Sequence, residues 1–170
     1  MIDRRRAIGL AAAVLPAWWL LRPYAARSEQ GKAFQRLFPF LIDLPGWKGN
    51  KPDGLALEMP GNNMVTATRQ YERGGSRLTA QVLTGPSAEG ALAATKTAMK
   101  IETGDARLST STIGGFAVTR TFTVSSKTGV VLVALSPSAL FSLSFIKVND
   151  DEGLSLAQKF DWKAIQAALK

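Results

Sequence analysis

The chain has 170 residues, a formal charge of +8, and neither cysteine nor histidine. That composition excludes disulfides, metal or haem ligation by thiolate or imidazole, and Ser-His-Asp or Cys-His catalysis. Proton transfer near neutral pH would fall to a carboxylate, lysine or tyrosine with a shifted pKa, and no cofactor is expected.

The N-terminus reads as an address. Arg4, Arg5 and Arg6 precede an apolar run from Ala7 to Leu21, 15 residues long. At about 1.5 Å per residue this is short for a bilayer core of about 30 Å, and Pro16 breaks it further. Ala26 and Ser28 place small residues two apart, which predicts cleavage after Ser28. The stretch "RRRAIG" resembles a twin-arginine (Tat) signal, with Arg4 and Arg5 as the pair, Arg6 as the free position, and Ala7 and Ile8 as the apolar positions. That resemblance implies passage through an export machinery into the periplasm. The alternative is an uncleaved anchor, with the basic cluster held inside. The chain therefore divides into an export signal (1–28), an N-terminal helix with a turn-rich segment (29–54), and an α+β domain (55–170). From Glu29 onward 16 basic and 12 acidic residues leave about +4. The basic residues are scattered, so solvated surface is their expected role. No nucleic acid is expected as a partner, whereas weak contact with an anionic membrane surface remains open.

Apolar spacing predicts a helix over Gly31–Phe40, stopped by Pro39. The following segment to Gly54 is rich in proline and glycine and reads as irregular, with Trp47 as a plug onto the domain body or a ligand-stacking ring. Met64–Tyr71 and Arg77–Leu83 read as a β-hairpin turned at Gly74–Gly75. "PSAEGALAATKTAMK" reads as a helix with Ser87 as N-cap, and with Ala88, Ala91, Leu92, Thr95 and Met99 on one face. Four strands follow with short breaks, over Ala106–Ile113, Phe116–Val124, Val130–Ser136 and Leu140–Val148, as an antiparallel meander. The tail from Asn149 reads as one helix, or as two meeting near Asp161.

This order implies an α+β fold, with helices packed on an antiparallel sheet of about five or six strands. The expected core holds Leu78, Val82, Leu92, Phe116, Val118, Phe122, Phe141, Leu143, Phe145 and Trp162. The succession of hairpin, helix, meander and closing helix over residues 55–170 resembles PsbP-like domains. The resemblance implies an accessory or assembly role, by analogy of fold alone.

Candidate chemistry is sparse. Asn149–Gly153 ("NDDEG") lacks EF-hand spacing and reads as the charged start of a helix. Ser144 and Lys147 have the spacing of a Ser-Lys dyad on a helix, but lie on a predicted strand, where odd spacing separates them. Met59 and Met64 could offer thioethers to Cu(I), although core packing accounts for them as well. Glu102 and Asp105 form the one carboxylate pair worth considering for acid–base hydrolysis of a glycoside.

Arg120 stands out, because it alternates with Phe116, Val118, Phe122 and Val124 on an apolar strand face. A buried arginine needs an acidic partner, with Glu102 or Asp105 as candidates, or an anionic ligand, or a partner surface. The expected reading is a non-enzymatic exported domain that binds a periplasmic protein or a small ligand through Arg120, with Tyr71 and Trp47 nearby. A carboxylate-dependent hydrolase and peripheral membrane attachment are the alternatives.

If the leader is an export signal, mass spectrometry of the exported protein will find Glu29 as its first residue. Replacing Arg4 and Arg5 with lysine will block export if the Tat route is used. An intact Met1 in the cytoplasm would overturn the assignment.

Overall fold

The computed structural model describes residues 33–58, 60, 61, 63–93 and 99–170. Arg4, Arg5, Ala26 and Ser28, which the sequence reading assigns to an export signal, lie outside the described residues, as do Met59 and Thr95.

After a 3-10 turn at Gln35–Phe40 the chain forms β1 (Lys48–Gly49), β2 (Asp53–Leu57), β3 (Met64–Arg73), β4 (Ser76–Thr84) and helix α1 (Pro86–Ala93). Then come β5 (Lys100–Glu102), β6 (Ala106–Ile113), β7 (Phe116–Thr123), β8 (Thr128–Ser136), β9 (Ala139–Ile146), and helices α2 (Asp150–Ala157) and α3 (Trp162–Ala168). The strands make one antiparallel sheet in the order β1-β3-β4-β9-β8-β7-β6-β5, with β2 also on the outer edge of β3. The expected hairpin and four-strand meander are both present, and β4 joins them by pairing with β9.

Nine strands among the described residues replace the expected five or six. The additional ones are short and lie at the edges. The segment read as irregular supplies β1 and the start of β2, and β5 begins at the last residue of the expected long helix. An edge strand need not carry a buried apolar row, so alternation does not announce it. Gly54 shows what replaces it: a Cβ there would lie 2.5 Å from the Phe34 ring and 2.7 Å from the Thr66 carbonyl oxygen. The expected helix at Gly31–Phe40 is, over its described part, a 3-10 turn with Pro39 inside it. Ser87 is not an N-cap: α1 begins one residue earlier, at Pro86, a position where the missing N–H costs nothing. The tail splits into two helices, as Asp161 suggested, and its carboxylate accepts the Ala164 amide at 2.9 Å.

The two faces of the sheet are covered differently. On the inner face Leu78, Val82, Val118, Phe141, Leu143 and Phe145 pack against Leu37, Leu41, Leu44 and Trp47 of the N-terminal segment. The same core takes in Leu156, Phe160, Trp162 and Ile165. On the outer face α1 lays Ala88 and Leu92 on Leu140, forming a second, smaller cluster. All ten expected core residues are buried, although Leu92 belongs to this second cluster.

Phe122, Gly129 and Phe145 stand side by side on neighbouring strands, with the two rings 6.2 Å apart over the glycine. Truncating Phe122 to alanine should cost about 3–5 kcal/mol in denaturant unfolding. A loss below about 1 kcal/mol would show that this part of the inner face is not packed as described.

Candidate functional site

Register fixes what surrounds Arg120. One inner-face row runs Ser109, Arg120, Val131, Leu143, Ala80 and Arg69 across six strands. An arginine stands near each end of this apolar row. Each holds a different covering segment. Arg69 donates to the Asn50 carbonyl at 2.9 Å and the Leu41 carbonyl at 2.7 Å, and pairs with Asp43. It thereby fastens the N-terminal segment. Arg120 faces the start of α2, with Nη1 3.7 Å from an Asp150 oxygen and 3.8 Å from one of Asp151. These are ion-pair distances, too long for good hydrogen bonds.

The Arg120 partners are therefore Asp150 and Asp151, not Glu102 or Asp105. Glu102 sits on β5 and pairs with Arg107 at 3.3 Å and Lys100 at 3.9 Å. Asp105 accepts from the Ser125 amide at 2.8 Å and the Ser125 hydroxyl at 3.0 Å. The acidic stretch Asp150–Glu152 does open a helix, but its side chains reach sideways to arginines. Asn149, at the N-cap, makes no side-chain capping bond.

Beside Arg120 lies a cleft of about 210 Å³, lined by Lys100, Ile101, Glu102, Arg107, Leu108, Ser109, Arg120, Asp150 and Asp151. It is bounded by β5 and β6 on one side and by the first turn of α2 on the other. Three cations and three carboxylates line it. The Arg120 side chain is 25% exposed and that of Asp150 is 15% exposed. The second Asp150 carboxylate oxygen is buried and accepts no hydrogen bond among the described residues. In chemical terms this is a mixed-charge cleft with one loosely held arginine and one carboxylate oxygen without a donor. Such a site can grip a polar ligand or a charged loop, and Asp105 does not line it.

Tyr71 and Trp47 are not part of this site. Tyr71 is on β3, four strand spacings or about 19 Å along the sheet from β7. Its ring is fully buried, and its hydroxyl donates to the Ile42 carbonyl at 2.7 Å. Trp47 is buried in the N-terminal segment, with the Arg73 guanidinium 4.2 Å from its ring centre. Both residues pin the covering segment, which is the plug role the sequence suggested for Trp47. Ser144 is half-buried on β9 and Lys147 is exposed beyond its end, with φ at +58°. Met64 begins β3 half-buried.

Arg69 and Asp150 were missed in the sequence. Arg69 carries the signal that exposed Arg120: it alternates with Ala67 and Tyr71, both buried. Asp150 carries no local signal, because only the landing point of α2 gives it a partner.

The chain matches no protein-family model, no curated protein and no solved structure. The reading of the site therefore rests on its own chemistry.

Burial pushes the Tyr71 pKa up to about 12, against the opposing pull of Arg69. The folded state thus holds the phenol proton more tightly than the unfolded chain, where the pKa is about 10. Its contribution to stability is complete below about pH 10 and lost as pH rises towards about 12. Unfolding titrations should show that loss in the native chain. The Tyr71→Phe variant, lacking the ionisable group, should lose less stability over the same interval. Identical alkaline profiles would refute the assignment.

Proposed function

We propose that this chain is an exported, non-enzymatic accessory domain, and that the cleft beside Arg120 is where it binds. The carrying observation is the combination at that cleft of a partly exposed arginine, held only at 3.7–3.8 Å by its carboxylates, and the exposed carboxylates of Asp151 and Glu102. A structural ion pair would close to hydrogen-bond distance and satisfy both groups. The ligand class that suits this cleft carries both an acceptor for Arg120 and a donor for the exposed carboxylates of Asp151 and Glu102. A small zwitterionic molecule or a mixed-charge loop of a periplasmic protein has both. The hydrolase alternative loses its motivating pair, since Glu102 and Asp105 are engaged by different neighbours.

The test is recovery of partners from periplasmic extract by the native chain and by cleft variants. Arg107 and Lys100 line the cleft but are exposed, so Arg107→Ala and Lys100→Ala should leave stability within about 0.5 kcal/mol of native. Arg120→Ala removes the central cation. All three should lose the same bound species, with Arg120→Ala losing most. Recovery of the same species in the same yield by all three variants would overturn the reading.

A further inference from the structure

The strand β2 offers an edge that natural sheets usually protect. An exposed edge presents unpaired N–H and C=O groups, and is blunted by charges, by proline or by cover. At the opposite edge, β5 is guarded by Lys100 and Glu102. On β2 the four residues Gly54, Leu55, Ala56 and Leu57 carry no charge. Leu55 is 50% exposed and Leu57 40% exposed.

The direction of the β2 backbone groups follows from its neighbour. The Thr84 hydroxyl accepts the Val65 amide at 3.0 Å, so the polar groups of Val65 point toward β4 and away from β2. Val65 is opposite Ala56, which makes that a pair without hydrogen bonds between β2 and β3. The amide and carbonyl of Ala56 therefore point out of the sheet. By the same alternation so do those of Gly54, whose amide instead donates to its neighbour Asp53 at 2.7 Å.

We propose that β2 pairs antiparallel with β2 of a second copy of this chain, about a two-fold axis through Ala56. Outward-pointing residues must face outward-pointing residues, which permits pairing centred on Ala56 or on Leu55. Centring on Leu55 sets Leu57 against Asp53 of the second copy. Centring on Ala56 sets Leu55 against Leu57 and Leu57 against Leu55, so that four exposed leucines share one face. The sequence supports the same centre: Pro52 and Pro60 bound a seven-residue window whose midpoint is Ala56. The second copy is the occupant because the edge is complementary to itself in this register.

The chain has no cysteine, so one introduced thiol reports the contact. A hydrogen-bonded antiparallel pair has Cα atoms about 5.5 Å apart, inside the disulfide range. In the full chain, Ala56→Cys should form a homodimer on mild oxidation or with a short bis-maleimide, whereas Ile101→Cys on the opposite edge should not. Sedimentation of the full chain should show a concentration-dependent dimer, and Leu55→Lys should weaken it at least about tenfold. Leu55 is exposed, so that variant retains the fold. A monomer at every soluble concentration overturns the proposal, as does a dimer indifferent to Leu55→Lys or equal cross-linking at positions 56 and 101.

Discussion

The position of α2 on the sheet depends on one close contact, the Phe145 ring held between two glycines. A Cβ at Gly129 or at Gly153 would lie 2.4 Å from that ring. Gly129 is beside Phe145 on the sheet, and Gly153 is in the helix that covers it. Without side chains at these two positions, the helix can settle directly on the aromatic ring. Glycine inside a helix costs about 1 kcal/mol against alanine, and here the close packing offsets that cost. The contact fixes where Asp150, Asp151 and Glu152 fall, one turn or less from Gly153.

From that landing point the charges divide. Glu152 reaches Arg73 on β3, while Asp150 and Asp151 reach Arg120 on β7. The acidic helix start thus clips together two strands that lie four spacings apart in the sheet. Arg69 does the same for the N-terminal segment, through the Leu41 and Asn50 carbonyls and Asp43. With no cysteine in the chain, these arginine clips and the apolar core hold the covering segments in place of covalent ties.

The hairpin, the meander and the paired terminal helices were legible in the sequence because each has a buried row with a clear period. Leu78, Val82, Phe141, Leu143 and Phe145 follow from alternation alone. The edge strands were not legible, since Lys48–Gly49 and Lys100–Glu102 bury too little to leave a pattern. Arg120 could be singled out as a charge in an apolar row, but its partners could not. Asp150 lies thirty residues away, and a helix placed by ring-on-glycine packing brings it back. Tyr71 and Trp47 were expected near Arg120. Sheet order separates them, and strand order is not encoded in the alternation of any single strand.

Three of the arginines on this face, Arg69, Arg73 and Arg120, differ in how fully they are engaged. Arg69 has two carbonyls and a carboxylate, while Arg73 has the Glu152 carboxylate and lies over the Trp47 ring. Arg120 has two carboxylates, both beyond hydrogen-bond distance, and it borders a cleft where the others border packed segments. Guanidinium groups bind best in planar, bidentate geometry, which Arg69 approaches and Arg120 does not. The electrostatic demand left over on this face is therefore concentrated at the Arg120 cleft. The proposed binding cleft lies beside β5 and β6, at the end of the sheet opposite β2. A dimer formed through β2 would leave both clefts open.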